Sequence, residues 1–305
     1  MATSTARLLM LVTAMLAASA ALAGQRTYDK TLQAPPGGSL TFDTDVGSVA
    51  IVGHDAPEVV IHAELQGSEF FLDHFHIRAS QKPSGVTISA HSAHSGWLGW
   101  LGWLDFGSNR ARFAIEMPRD YSVDLRTSGG HVDIRDVSAS VRAATSGGSM
   151  LVQNIAGTVT LHTSGGRIDA EHLDGPAQLS SSGGGIRVTD STGGLDLSTS
   201  GGGIRLQNDD GRIRAVTSGG SIRAQLRGNR GVSLATSGGN ITLLLPQNTR
   251  ASIEAETSGG GIRTDFPVTT TQISGGDQLV GTIGGGGAPI TLHSSGGSIH
   301  IETGE

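Results

Sequence analysis

The sequence predicts an all-β protein, a single-stranded parallel β-helix (a β-solenoid) with coils of about 18 residues. The first observation is a Ser-Gly-Gly motif that recurs along the chain. The second is the alternation of apolar and polar residues after each motif, which is typical of β-strands. The third is the nearly constant step between motifs, because a fixed period of this size indicates a repeat architecture.

The motif occurs nine times, and its spacing sets the coil length. Five equal steps of about 18 residues are followed by longer steps of about 19, 21 and 37. The last step is close to two coils, which predicts one degenerate coil between Phe266 and Pro289. The serines of the nine copies are Ser128, Ser146, Ser164, Ser182, Ser200, Ser218, Ser237, Ser258 and Ser295.

Each unit contains two short strands. Apolar residues occupy the second and fourth places after Gly-Gly, as in Ile186 and Val188, and a second alternating pair follows nine residues later, as in Leu195 and Leu197. An Asn or Asp, with a glycine three residues later, marks the turn between the strands. Stacked units share one core and pair their strands in parallel. We therefore expect nine coils in a rod about 40–45 Å long, right-handed because parallel crossovers generally are.

Residues 1–23 have the pattern of a signal peptide. Arg7 precedes a mostly apolar run over residues 8–22, and Ala21-Leu22-Ala23 provides an A-x-A cleavage site. We expect cleavage after Ala23 and a periplasmic or secreted mature chain, with an uncleaved anchor as the alternative. No later segment is apolar and long enough to span a membrane as a helix, so no transmembrane segment is expected in the mature chain.

Residues 24–126 form a less regular β region, and residues 127–305 form the Ser-Gly-Gly solenoid. Residues 39–53 alternate and contain a degenerate copy of the repeat. Alternation further along the first region predicts four more strands, with Pro118 closing the last of them. The pattern leaves open whether this region is a separate domain or the first irregular coils of the rod. These four strands are predicted over residues 58–65, 75–79, 85–90 and 112–117.

A tryptophan-rich loop over residues 96–106 interrupts the first region. It reads GWLGWLGWLDF and contains every tryptophan of the chain, namely Trp97, Trp100 and Trp103. One interpretation is a cap or flap packed over the rod. The other is an exposed aromatic contact for a sugar ring, a membrane surface or a partner protein.

Arginines recur at one equivalent place in four coils. Arg187, Arg205, Arg223 and Arg263 each follow the first apolar residue of a strand, so stacking would align them as a basic ladder. Such a ladder repels itself unless anions lie between its members, and guanidinium groups suit the carboxylates or phosphates of an acidic polysaccharide. The alternative is a solvated face screened by nearby aspartates, namely Asp190, Asp196, Asp209 and Asp210.

The Thr or Ser before each Ser-Gly-Gly forms a second ladder, from Thr127 to Thr257. Ice-ordering arrays need paired outward threonines, but here adjacent hydroxyl residues face opposite ways. We therefore expect the hydroxyls to serve the structure of the coil.

Several ligand classes are not expected from the composition. The chain has no cysteine, so it has no disulfide framework and no lipoprotein cysteine. Its eleven histidines show no metal-binding spacing, and the repeats lack the aspartate of the calcium-binding β-roll. We expect no metal and no cofactor. A formal net charge of −6 does not suggest a nucleic-acid partner.

No catalytic signature stands out in the sequence. Nucleophile elbows, phosphate loops and paired carboxylates are not found, and a tripeptide repeated nine times is a bend rather than nine active sites. We therefore expect that the protein is not an enzyme. Two alternatives stay open, a polysaccharide-acting β-helix enzyme and a self-assembling structural rod.

The pattern resembles the bacterial "putative adhesin" β-strand-repeat family, whose defining domain is DUF4097. The matching features are the early segment over residues 45–51, the strand Phe113–Pro118 and the T-S-G-G-x-I repeats. The resemblance implies an extracytoplasmic β-solenoid with an adhesion role and carries over no catalytic residues. Together with the residues it leads us to expect an adhesin-like binding or envelope-scaffold protein, with a glycan or an envelope or surface protein as partner.

Overall fold

Two long sheets face each other across one apolar core. The computed structural model describes residues 24–92, 109–274 and 277–304. Within those residues the chain forms 27 strands and one short helix, with 13 strands in the first sheet (sheet A) and 14 in the second (sheet B). The buried side chains of both sheets belong to a single cluster. The predicted all-β class is confirmed.

The strands are short and follow one another closely along the chain. In chain order the elements are β1 (Gly24–Gln33), β2 (Ser39–Thr44), β3 (Ser48–His54), β4 (Glu58–Gly67), α1 (Glu69–His74), β5 (Phe75–Lys82), β6 (Gly85–Ser92), β7 (Arg110–Pro118), β8 (Ser122–Thr127), β9 (Val132–Val137), β10 (Val141–Thr145), β11 (Met150–Ile155), β12 (Val159–Thr163), β13 (Ile168–Leu173), β14 (Ala177–Ser181), β15 (Ile186–Ser191), β16 (Leu195–Thr199), β17 (Ile204–Asp209), β18 (Ile213–Thr217), β19 (Ile222–Leu226), β20 (Val232–Thr236), β21 (Ile241–Pro246), β22 (Ala251–Thr257), β23 (Ile262–Thr264), β24 (Val268–Ser274), β25 (Gln278–Ile283), β26 (Ala288–Ser294) and β27 (Ile299–Gly304).

Each regular coil contributes one strand to each sheet. In the coil of β13 and β14, Ile168 pairs in parallel with Ile186 in sheet A, and Ala177 pairs with Leu195 in sheet B. In both pairs the partner is the equivalent residue of the next coil. Odd-numbered strands from β9 to β21 therefore stack in sheet A, and even-numbered strands from β8 to β20 stack in sheet B.

The strands of sheet A bury one more residue per coil than simple alternation predicts. In β11 the side chains of Met150, Val152 and Ile155 are buried. Asn154 has a φ of 57°, in the left-handed region, and this turns Ile155 back toward the core. The equivalent residues with the same backbone conformation are Asp136, His172, Asp190 and Asn208. The predicted Asx turn is present, and the residue after it belongs to the core.

The chain threads out of sequence order at its N-terminal end. The coil of β2 and β3 lies between β8 and β9 on one side and β6 and β7 on the other. Beyond β7, strands β4 and β1 continue sheet A in antiparallel fashion, and β5 continues sheet B beyond β6. The described residues of this region, 24–92 and 109–126, thus extend the same two sheets. The four strands predicted in this region are present with slightly longer bounds.

The C-terminal end is threaded in a similar way, and this corrects the prediction of a degenerate coil between Phe266 and Pro289. Strands β24 and β25 form an antiparallel hairpin at the end of sheet B. The last coil, β26 and β27, then inserts between the coil of β20 and β21 and the coil of β22 and β23. The long step from Ser258 to Ser295 therefore separates two neighbouring coils.

Eleven parallel strands stack in each sheet within the described residues, from β7 to β23 in sheet A and from β6 to β22 in sheet B. The prediction of nine coils was too low because the β2–β3 and β6–β7 coils lack the Ser-Gly-Gly motif. At about 4.8 Å per strand the parallel stack is about 50 Å long.

Candidate functional site

Three of the four predicted arginines form a continuous row on the outer face of sheet A. Arg187 pairs in register with Arg205, and Arg205 with Arg223. All three side chains are exposed, and neighbouring rows are about 4.8 Å apart. Arg263 occupies the same column but is separated from Arg223 by Thr242 and then His300. The arginine row therefore consists of Arg187, Arg205 and Arg223.

The aspartates expected to screen these arginines lie elsewhere. Asp196 projects from sheet B, on the opposite side of the rod. Asp209 is fully buried in the core. Asp210 accepts hydrogen bonds from Arg230, at 2.7 and 3.3 Å, and this partner lowers the pKa of Asp210. Asp190 lies 3.8 Å from His172. Within the described part of the chain the arginine row has no ion pair.

A shallow groove of about 920 Å³ runs along the outer face of sheet B. It crosses the strands from β12 to β20 and reaches β26, so its long axis follows the rod. Gly194 and Gly231 leave part of its surface low, and Arg212 and Arg214 line it with exposed side chains. Among the described residues Asp196 is the one carboxylate that lines it. This groove has the shape for an extended chain rather than for a compact small molecule.

The two arginine sets fall in the same part of the rod. Residues 185–232 contain seven arginines and four aspartates, whereas the whole chain has a net charge of −6. Because one of those aspartates is buried, seven arginines face three aspartates at the surface of this zone, which gives it an excess of positive charge. We call this zone, residues 185–232, the basic belt. Arg212 and Arg214 were not predicted as site residues, although Arg214 holds the second place of its strand, as the arginines of sheet A do in theirs.

A smaller hollow of about 350 Å³ lies on sheet A near the N-terminal end. His62 Nδ1 is 2.6 Å from Asp29 Oδ1, and its Nε2 is 3.5 Å from Glu64 Oε1. Hydrogen bonds to these carboxylates raise the pKa of His62. Asp133 accepts two hydrogen bonds of 2.7 Å from Arg135. Most of the charged groups here are thus engaged with one another.

The other predictions concern the tryptophan loop, metal binding and membrane spans. Trp97, Trp100 and Trp103 lie outside the described residues. Among the described residues no three His, Cys, Asp or Glu side chains are grouped so that they would hold a metal ion. In the same ranges no helix is long and apolar enough to cross a membrane.

The hydroxyl ladder holds adjacent coils together. Thr163 is fully buried, and its Oγ1 donates a 2.9 Å hydrogen bond to the carbonyl of Gly148 in the preceding coil. The same oxygen accepts the N–H of Gly166 at 3.2 Å. Ser181 repeats both bonds one coil later, with Gly166 and Gly184. The ladder thus fixes the Ser-Gly-Gly bends, and its hydroxyls are not available to a ligand.

A known family model matches most of the chain. The family model described as Toastrack DUF4097 matches residues 38–302. None of the curated proteins matches this chain.

Three solved bacterial structures are similar over most of their length. A "putative cell adhesion protein" from Clostridium sporogenes ATCC 15579 has 11% identity and a TM-score of 0.23, and the match covers 92% of this chain and 100% of that one. A "putative adhesin" from Bacteroides fragilis NCTC 9343 has 12% identity and a TM-score of 0.43, with 91% and 97% covered. A "putative lipid binding protein" from Parabacteroides distasonis ATCC 8503 has 13% identity and a TM-score of 0.45, with 92% and 97% covered.

Proposed function

This chain belongs to the Toastrack DUF4097 family, and from that premise we propose that it is a non-enzymatic, adhesin-like protein that binds an acidic glycan through its basic belt. The sheet A face of the belt presents three arginines at the period of the coil, and the groove on the sheet B face adds Arg212 and Arg214. A glycan with regularly spaced carboxylates or sulfates would meet the same arrangement at each step along the rod.

The observation that carries this proposal is the unpaired arginine row of sheet A. Three like charges at a spacing of about 4.8 Å repel one another in the free protein. An anion seated between neighbours removes that repulsion and accepts charge-assisted hydrogen bonds, which guanidinium groups make in a planar, two-pronged geometry. The row gains most from a ligand that is itself a line of negative charges.

The groove of sheet B supports a binding role over a catalytic one. Most glycoside hydrolases use two carboxyl groups that flank the bond to be broken, and in the described part of the chain the groove offers Asp196 alone. In the hollow on sheet A, Asp133 is held by Arg135 and Glu64 faces His62. A chain lying along these faces would be held by many weak contacts, as expected for an adhesive surface.

The outermost strands also bear on the alternative of a self-assembling rod. Sheet A ends at β1, whose edge carries Arg26, Asp29 and Lys30, and at β23, which has three residues. Charged and very short edge strands resist pairing with another sheet. Growth through the ends of sheet A is therefore disfavoured, and we favour single rods that present binding faces.

The binding proposal is tested with polygalacturonate, an anionic polymer with one carboxylate per sugar, and with neutral dextran as the unbound control. We expect the wild type to bind polygalacturonate at low ionic strength and to release it as salt is added. The triple variant Arg187→Gln, Arg205→Gln, Arg223→Gln should bind about tenfold or more weakly, since each lost ion pair with a carboxylate weakens the complex.

A matched triple variant controls for net charge. Arg78→Gln, Arg142→Gln, Arg167→Gln removes the same charge from exposed sites that do not form a row. Equal weakening in both triple variants, or no binding by the wild type, would refute the role of the row. Release of reducing ends during the incubation would instead show an enzyme.

The location of the protein is part of the same proposal. A cut after Ala23 would leave the fold intact, since the first strand begins at Gly24. We propose that the mature protein is periplasmic or secreted and that its coil is right-handed. The intact mass of protein recovered from outside the cytoplasm tests the first point, because retention of residues 1–23 would contradict it. A crystal structure of the mature protein tests the second point, because a left-handed coil would contradict it.

A further inference from the structure

The last coil of the chain lies inside the stack and not at its end. Strand β26 pairs in parallel with β20 on one side and with β22 on the other. Strand β27 pairs in the same way with β21 and β23. Both neighbouring coils precede it in the sequence, so residues 288–304 fill a slot whose two walls are formed by earlier parts of the chain.

Both walls of the slot depend on this coil for their hydrogen bonds. The N–H of Ser295 donates to the carbonyl of Thr236 on one wall, and the carbonyl of Ser294 accepts the N–H of Ser258 on the other, each at 3.1 Å. Ser294 Oγ also donates to the carbonyl of Gly239 at 2.9 Å. A chain with an empty slot would expose two unpaired strand edges in each sheet, which is an open template for another strand.

A glycine segment joins the last coil to the hairpin before it. Gly284, Gly285 and Gly286 have φ values of 61°, 83° and 91°, and Gly287 follows. The N–H of Gly286 donates to the carbonyl of Ile283, which closes a tight turn. Glycine adopts other backbone conformations at little steric cost. The segment can therefore direct residues 288–304 back into their own molecule or away from it.

We propose that two copies of this chain exchange residues 288–304, so that the last coil of each copy fills the slot of the other. The slot of a second copy offers the same walls and the same register, so every contact of the closed monomer is reproduced in the pair. Exchange of an identical element is a low-cost route to a dimer. Because each copy gives one coil and receives one, the pair is closed and does not grow.

The exchange is tested with single cysteines, since the natural chain has none. Ser233 of β20 and Thr291 of β26 are paired in register, and neither is buried. Full-length Ser233→Cys and Thr291→Cys chains are mixed, unfolded, refolded together at high protein concentration and oxidised. We expect a disulfide-linked dimer that contains one chain of each variant, because one last coil then lies against the other chain's β20.

Two controls make the result decisive. Gln178→Cys and Asp196→Cys chains carry partners of the same kind on β14 and β16, in the sequentially stacked part of the rod, and should give no mixed dimer. The double variant Ser233→Cys, Thr291→Cys should form the bond within a single chain after refolding at low concentration, which shows that this pair of positions permits a disulfide.

The outcomes separate this proposal from the binding proposal. A mixed dimer as abundant in the Gln178 and Asp196 control would show non-specific linkage and overturn the exchange. Sedimentation of the refolded wild type supplies a test free of cysteine chemistry: a stable dimer supports exchange, and a monomer at all concentrations refutes it. Neither result changes the binding of polygalacturonate to the belt of a single rod.

Discussion

A buried carboxyl group interrupts the aliphatic row of sheet A. Asp209 holds the last position of β17, where other coils have Val137, Ile155 or Leu173. Its Oδ1 accepts hydrogen bonds from the N–H of Ser191 at 2.9 Å and from Ser191 Oγ at 2.6 Å. Its Oδ2 is buried and has no hydrogen-bond partner among the residues that the structure describes. Burial raises the pKa of Asp209 from its ordinary value of 3.8 to about 6.

This pKa predicts that the protein loses stability as the pH rises from 4 to above 6. The folded state holds the proton of Asp209 more tightly than the unfolded state, so the contribution is complete below about pH 4 and is lost as the pH passes through about 6. The shift corresponds to about 3 kcal/mol. In the Asp209→Asn variant this loss should disappear, as measured by urea unfolding at both ends of the range. Identical pH dependence in the two proteins would contradict it.

Asp209 was predicted to lie on the surface, and the local sequence explains this wrong prediction. The run Asn208-Asp209-Asp210 has the composition of a polar turn. What decides its position is the left-handed backbone of Asn208, with a φ of 60°, which points the next side chain inward. A conformation at one residue therefore reverses the expected burial of its neighbour.

The Ser-Gly-Gly bend is the element that sets how closely coils stack. A Cβ at Gly166 would overlap the carbonyl of Gly148 in the preceding coil. A Cβ at Gly165 would meet its nearest atom, the carbonyl oxygen of Gly147, at 3.6 Å, which is ordinary van der Waals contact. The second glycine of the motif is thus required by the approach of backbone to backbone, and the first is not required in this way.

Two alanine variants of adjacent glycines separate these roles. Gly166→Ala should destabilise the protein by about 3 kcal/mol or more, because a clash between backbone atoms is relieved only by moving a coil. Gly165→Ala should cost less than about 1 kcal/mol. Thermal or urea unfolding of the two variants beside the wild type measures the difference. Equal losses would show that the bend, rather than the contact between coils, requires glycine.

Most of the regular elements could be predicted from the sequence, because local patterns determine them. Alternating residues such as Ile186 and Val188 mark the strands, and the repeated Asx residues mark the turns. The short helix α1 was not predicted, and neither was the burial of residues such as Ile155. The helix and the burial of Ile155 both depend on the local backbone conformation, which cannot be inferred from hydrophobic alternation.

At the scale of the whole molecule the stacking was predictable and the order of the coils was not. The coil of residues 288–304 has the same pattern as its neighbours, so periodicity alone cannot say which coil it joins. Its place follows from the β24–β25 hairpin, which occupies the end of sheet B. The arginine row was predictable as a column. The basic belt was only partly predictable, because its charge depends on which aspartates lie on the same surface.

Between the two irregularly threaded ends lies a run of coils with interchangeable register, from β10 to β18. If one whole coil were added or removed there, the neighbouring coils would still pair in the same register. The irregular strand order at the two ends of the stack would not change. The distance between the ends would change by about 4.8 Å each time. The regular coils therefore act as a spacer between the two ends of the stack. The number of these coils sets the length of the spacer, and changing that number requires no change at either end.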